Sequence, residues 1–159
     1  TLRAARAEGA EELIAARGQV IDLGDGAYAR VLFPDRALPQ VETNLASTIV
    51  QIVYGDTSFM LTGDSPENIE LYLVGLDGAA LNSDVLKAGH HGSKTSSAAA
   101  FVSAVDPTYA VFSRGCDNKY GHPSPEVVER FAGLQIPTAD TCTEATITLV
   151  SDGDSIMKK

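Results

Sequence analysis

Short β-branched and aromatic runs, broken by Gly, Pro and Asp, dominate the hydrophobic pattern of this chain. Helical spacing appears between them. From Arg3 to Arg17 good helix formers predominate, with Leu13 and Ile14 the large apolar residues after Leu2, which predicts a helix with one thin apolar face ending at Gly18. QVIDLGDGAYARVLF predicts two strands around Asp25-Gly26, a dipeptide suited to the positive φ angles of a tight hairpin. Pro34 to Thr43 is polar and contains proline, and reads as a loop. The run STIVQIV from Ser47 to Val53 predicts a strand, Gly55-Asp56 turns it, and SFMLTG returns as its partner, ending at Asp64.

Ser65-Pro66 reads as an N-cap followed by proline at the first helical position, opening a helix through about Val74. DVLKA is a short apolar strand that ends at Gly89-His90-His91-Gly92-Ser93. A helix from Ser97 to Val105, a strand TYAVFS, a loop to Pro123 and a helix from Ser124 to about Leu134 follow. A strand pair around Ile136 and Ala145 to Val150 closes the chain. Two hairpins followed by alternating helix and strand predict an α/β (α+β) fold, a mixed sheet with helices on one face. Neither repeats nor a domain boundary appear, so residues 1–159 read as one domain.

Composition narrows the function. A content of 44% hydrophobic and 21% charged residues is that of a folded globular protein. No run approaches the roughly 18 to 20 apolar residues of a membrane span, and no signal peptide is evident, so a soluble chain is expected. Thr1 to Arg17 reads like the middle of a longer protein, which leaves an anchor elsewhere open. A net charge of −9 argues against gripping nucleic acid by a basic stripe, although bound metal could supply the missing positive charge. The two cysteines, Cys116 and Cys142, lack CxxC spacing. They suit a disulfide in an oxidising compartment as well as free thiols.

Chemistry-bearing residues gather where strands end. Asp64 closes the apolar strand FMLTGD and is either a helix N-cap or a carboxylate bound to metal. His90 and His91 stand at the next strand end between glycines, as a metal half-site or as plain loop histidines. Ser93, Lys94, Thr95 and Ser96 follow, and either cap a helix or offer hydroxyls and N–H groups to a phosphate. Asn118, Lys119, Tyr120 and His122 share a Gly/Pro loop that lines a pocket or forms a surface turn.

In that order and spacing, LTGD, DVLKAGHHGSKTS and NKYGHPSPEVVERF closely resemble the C-terminal metallo-β-lactamase-like domain of the ComEC competence family and its stand-alone relatives, over roughly Asn44 to Val150. The resemblance implies half of an αββα sandwich in which two facing sheets hold metals at strand ends. It implies that Asp64 bridges two divalent ions, zinc or manganese, with one histidine of the His90-His91 pair as a further ligand, His90 being favoured and His91 then supporting it or contacting substrate. His91, Lys94 and His122 become the candidate catalytic residues, and Ser93, Thr95, Asn118 and Tyr120 the candidate substrate contacts. Asn44 falls at a position that looks structural in the family. The HxHxDH-like signature that normally precedes these motifs is absent, and Gln40 to Asn44 holds no histidine. Either the upstream half of the metal site is missing, the favoured expectation, or the chain is a degenerate relative; in the first case it is expected to be inactive alone because zinc normally takes three or four protein ligands.

The function so implied is metal-dependent hydrolysis of a phosphodiester, DNA during competence, by a domain fused to a membrane channel and lying outside the cytoplasmic membrane. Two alternatives stand beside it. One is a non-catalytic domain that binds nucleic acid or a partner protein, and the other a hydrolase of small phosphates or esters.

Overall fold

The computed structural model describes residues 2–35 and 43–159. Its framework is a seven-stranded mixed sheet in the order β1-β2-β3-β4-β5-β6-β7. Strands β1 (Val20–Gly24), β2 (Ala27–Phe33), β3 (Ile49–Tyr54) and β4 (Thr57–Leu61) form an antiparallel meander. The hairpins turn at the Asp25-Gly26 and Gly55-Asp56 dipeptides that the sequence singles out. Strands β5 (Val85–Lys87), β6 (Tyr109–Phe112) and β7 (Thr138–Asp140) then add in parallel, each after a helical crossover. Those crossovers carry α2 (Glu67–Asp77), α3 (Ala99–Val105) and α4 (Pro125–Gly133).

Alternation along the strands decides which side is covered. Ile49, Met60, Leu86, Ala110 and Phe112 point to the helices and pack with Leu73, Phe101, Val102, Val105, Val127 and Phe131 in one buried cluster. Phe112 meets Phe131 edge to face, with ring centroids 5.6 Å apart. The intervening residues Val50, Ile52, Phe59, Lys87 and Val111 face the other way and are half-buried, and Leu61 beside them is exposed. A hairpin of β8 (Leu149–Ser151) and β9 (Ile156–Lys158) covers the beginnings of β4, β5 and β6. The Asp56 N–H donates to Gly153 O at 2.6 Å, and Gly55 has no room for a Cβ, which would lie 2.3 Å from that oxygen. The far ends of the same strands are left to the loops that hold the candidate site.

Several expectations change. The N-terminal helix α1 spans Leu2–Ala7 and not Arg3 to Arg17, because Leu13 and Ile14 stay exposed and nothing packs on them to sustain so thin an apolar face. Helix α2 starts one residue later and runs longer than predicted. Pro66 is its N-cap, and Ser65 buries its hydroxyl without capping. Ser97 has a φ of 59° and stands outside α3, whose N-cap is Ala98. The strand expected around Ile136 lies at Thr138–Asp140 and pairs with β6, followed by a helical turn α5 (Thr141–Glu144), while the last hairpin pairs β8 with β9. Most of the Pro34 to Thr43 loop, residues 36–42, lies outside the described residues. Among the described residues no helix is long and apolar enough to cross a membrane.

Cys116 and Cys142 are joined in a disulfide with Cα atoms 4.8 Å apart. The bond ties the loop after β6 to the turn after β7 and spans 26 residues. Closing a loop of that length is expected to stabilise the fold by about 3 kcal/mol through the unfolded chain. Denaturant unfolding with and without reductant measures this; identical midpoints would show that the bond contributes nothing.

Candidate functional site

Three parallel strands end on the same edge of the sheet, so their following loops converge. After β4 comes Thr62-Gly63-Asp64, after β5 Ala88 to Ser97, and after β6 Ser113 to Pro123. Backbone bonds stitch the first two loops together: the His90 N–H donates to Gly63 O at 3.0 Å, and Lys87 Nζ donates to the same oxygen at 3.1 Å. The Ser124 N–H donates to Gly92 O at 2.9 Å and ties in the third.

The double-histidine turn is locally strained. His90 (φ 49°, ψ 45°) and His91 (φ 58°, ψ 21°) both occupy the left-handed region, which costs an ordinary residue roughly 1 to 2 kcal/mol. Its glycines are sterically required. A Cβ on Gly92 would lie 2.6 Å from Pro123 Cβ and 2.9 Å from the Phe112 ring, and one on Gly89 would lie 2.9 Å from Ser96 Cβ and 3.1 Å from Glu70 Oε1.

That strain presents the imidazoles. His91 Nδ1 lies 2.6 Å from Ser113 O, and because a carbonyl only accepts, Nδ1 carries the proton. In the neutral ring Nε2 is then a bare lone pair, and it stands 3.6 Å from Asp64 Oδ1. Two acceptors face one another across a gap that suits a cation or a proton. His90 lies beside both other rings, with centroids 6.2 Å from His91 and 5.7 Å from His122, and its Nδ1 is 3.5 Å from Thr95 Oγ1. Burial, then the nearby His90 and His91, push the His122 imidazole below its ordinary value, and Asp64 opposes them. His122 Nδ1 is buried without a hydrogen-bond partner among the described residues.

The sequence-predicted residues thus divide by task. Asp64, His90, His91 and His122 come together. Ser93 and Thr95 share a hydroxyl contact of 3.0 Å and, with Lys94, border a cavity. Asn118 is occupied in closing its own loop, donating to Gly115 O (2.9 Å) and His122 O (2.8 Å) and accepting from the His122 N–H (2.8 Å). Tyr120 is 70% exposed and stacks on His122. Asn44 lies in a single helical turn, Thr43–Ala46, and its carbonyl accepts from Ser47, whose hydroxyl in turn accepts from the Asp64 N–H at 3.2 Å. Among the described residues, no group of three or more His, Cys, Asp or Glu is placed to hold a metal ion.

Two residues that hold the site escape a reading by motif. Lys87 lies at the end of β5 beside Asp64, and burial lowers its ammonium pKa against the pull of that carboxylate. Glu70 is fully buried in α2. Its oxygens accept from the Ser97 N–H at 2.9 Å and the Ala98 N–H at 2.7 Å, and Arg130 reaches the adjoining Ser96 and Ser97 carbonyls. The signal for Glu70 was its spacing of three from the core residue Leu73, which puts a carboxylate on the buried face of a helix.

No protein-family profile matches the chain. It is 41% identical over 106 residues to Competence protein ComA of Neisseria gonorrhoeae, covering 67% of this chain and 15% of that protein. It is 33% identical over 146 residues to ComE operon protein 3 of Bacillus subtilis, covering 92% of this chain and 18% of that protein. Recombination protein 2 of Haemophilus influenzae is 33% identical over 105 residues, 13% of its length. The chain is thus a relative of competence proteins and spans less than a fifth of the length of each.

Burial pushes the Glu70 carboxyl up to about 7 from 4.5, against its two backbone N–H donors. A folded value above the unfolded one means that the native state holds the extra proton in between, so the stability contributed by neutral Glu70 is full below the unfolded value and is lost as pH rises through about 7. Between about pH 5 and pH 8 the unfolding free energy is expected to fall by on the order of 2 to 3 kcal/mol. Glu70→Gln removes that dependence. A variant with the same pH slope as the parent would assign the titration elsewhere.

Proposed function

We propose that this chain is half of a metal-dependent phosphodiester hydrolase that acts on DNA during uptake. The observation that carries this reading is His91, whose Nδ1 proton is held by the Ser113 carbonyl so that Nε2 faces Asp64 Oδ1 at 3.6 Å. Metal-binding histidines are commonly oriented this way, the distal nitrogen fixed by a carbonyl and the near one free for the ion. The resemblance implies His90 as the ligand; the 3.6 Å approach to Asp64 favours His91 in that role, with His90 behind it.

Asp64 and His91 suit a divalent cation in donor type, zinc or manganese alike, yet two side chains fall short of a full coordination set. The remaining ligands then come from outside the described residues, in keeping with the small share of its relatives that the chain spans. The open sheet face of Val50, Ile52, Phe59, Leu61 and Val111 supports the same reading, because an αββα sandwich covers such a face with a second sheet. Bound in a pair, divalent cations supply an activated water and neutralise charge on the phosphoryl oxygens. This chain's own residues fix the ions through Asp64 and His91 and steady the phosphate through Lys94 and Thr95. His122, beside His90, is the proposed donor of a proton to the leaving oxygen.

The names of the relatives tie them to competence and recombination, and the cell process follows from that kinship. We place the intact protein in the cytoplasmic membrane, with this domain on the outer side and joined to a DNA channel. The Cys116–Cys142 disulfide accords with an oxidising compartment.

Metal content of the full-length protein after dialysis, read by elemental analysis, tests the assignment. The parent protein is expected to hold about two ions per chain, Asp64→Ala and His91→Ala to lose them, and His90→Ala to keep more than either. Retention of metal by both Asp64→Ala and His91→Ala would refute the ligand pair. A full-length protein free of metal that leaves bis(p-nitrophenyl) phosphate intact would leave a binding module in place of a hydrolase.

A further inference from the structure

Two cavities meet at the candidate site and share one wall. The larger, about 500 Å³, is bordered by His91, Ser113, Arg114, Asn118, Tyr120 and His122. The smaller, about 330 Å³, is bordered by Ser93, Lys94, Thr95, Tyr120, His122 and Glu126. Both are of a size that takes a small-molecule group, and Tyr120 and His122 belong to each. A substrate that reaches both cavities therefore extends to either side of the histidine cluster, as the two arms of a diester do and a terminal monoester does not.

The chemistry of the shared wall points to what those arms carry. Tyr120 is 70% exposed in a loop whose backbone Asn118 ties down. Its ring lies 17° from parallel to His122 at a centroid distance of 5.7 Å, so the phenol is backed by the imidazole and held in place. Lys119 Nζ sits 5.2 Å from the Tyr120 centroid, a cation on a flexible stem that a flat ligand can displace. Charge can contribute little here. Arg114 is engaged by Asp140 through Nε and Nη2, with contacts of 2.7 to 3.0 Å, and the chain carries a net charge of −9. Lys94 and Lys119 are the ammonium groups beside the cavities, too few for a grip on a phosphate backbone by charge alone.

We infer that the substrate arm at this wall is a single nucleic-acid strand, and that one of its nucleobases stacks on the exposed ring of Tyr120. The inference rests on the phosphodiester reading and adds to it the strandedness of the substrate and the group that recognises it. A paired duplex keeps its bases stacked on each other and offers none to a side wall. A single strand offers a π face with every base, and stacking on an aromatic ring adds an uncharged, sequence-tolerant contribution to the grip of the few cations nearby. Lys119, once displaced from the ring, is free to meet a flanking phosphate.

The test is binding by the full-length protein of a short oligothymidylate, an abasic strand of equal length and a duplex, in the presence of calcium to limit cleavage. The parent protein is expected to prefer the base-bearing strand over the abasic one by roughly tenfold, the range of a single aromatic stack. Tyr120→Ala removes that preference, and Tyr120→Phe keeps it. The exposure of Tyr120 makes both variants compatible with folding, which circular dichroism verifies. Equal binding of base-bearing and abasic strands, a preference that survives in Tyr120→Ala, or tighter binding of duplex overturns the inference. Metal content and cleavage of bis(p-nitrophenyl) phosphate by the same parent preparation separate the two failures. A metal-loaded, diester-cleaving protein with no base preference leaves the hydrolase standing and removes only the platform.

Discussion

The buried carboxylate of Glu70 joins the helical layer to the loop that carries the histidines, and the geometry of the site depends on it. Its two oxygens collect the N–H groups of Ser97 and Ala98 at the point where the chain leaves the left-handed Ser97 and enters helix α3. Without that acceptor pair two backbone donors would be buried and unpaired, at a cost of roughly 1 to 3 kcal/mol each. Gly89 allows the loop to come this close, since any side chain there meets Glu70 and Ser96. Arg130 closes the arrangement from α4 by taking up the Ser96 and Ser97 carbonyls. The strained His90-His91 turn is therefore held from its C-terminal side by this hydrogen-bonded network and from its N-terminal side by the bond from His90 to Gly63. This accounts for two consecutive left-handed residues persisting in an otherwise regular fold.

The sheet divides labour between its two ends. At the beginnings of β4, β5 and β6 the β8–β9 hairpin packs down, with Thr57 and Ser151 in hydroxyl contact at 2.5 Å and Lys158 reaching the Tyr109 hydroxyl at 3.1 Å. At the strand ends no such cover stands among the described residues, and the polar side chains of three loops converge. Parallel strands make this convergence automatic, because each crossover helix brings the next loop to the same edge. The antiparallel β1 to β4 meander contributes one site residue, Asp64, by having its last strand run in the direction shared by β5 to β7.

Strands and hairpins were legible in the sequence because their signals are local: β-branched runs with Asp-Gly and Gly-Asp turns between them. The strand-end positions of Asp64 and of His90-His91 were legible for the same reason. Errors arose where tertiary packing decides. The helix expected over Arg3 to Arg17 shortens because Leu13 and Ile14 meet no partner surface. The strand near Ile136 pairs with β6 because the parallel layer can extend there, a matter of sheet order that no local pattern carries. The spacing of Glu70 from Leu73 marks its burial, but neither its backbone partners nor the choice of His91 as the neighbour of Asp64 could be read from the sequence. Each depends on which atoms a fold brings within hydrogen-bond reach across 22 to 28 residues.

On the proposed reading an acidic chain meets an anionic polymer, a physical conflict unless the charge is supplied locally. Its surface field repels DNA at long range, and within a Debye length of about 8 to 10 Å only the nearest charges count. Cations between Asp64 and His91 would reverse the sign at the point of reaction, while Tyr120 would hold a base without any charge at all. Recognition and chemistry then rest on different forces. On the proposed reading Asp64 and His91 would hold the ions that act on the phosphate, Tyr120 would meet the base, and Lys94 and Lys119 would adjust the register between them. Such a division would suit the proposed fusion of this domain to a channel that feeds it a strand, where local concentration takes the place of long-range electrostatic capture.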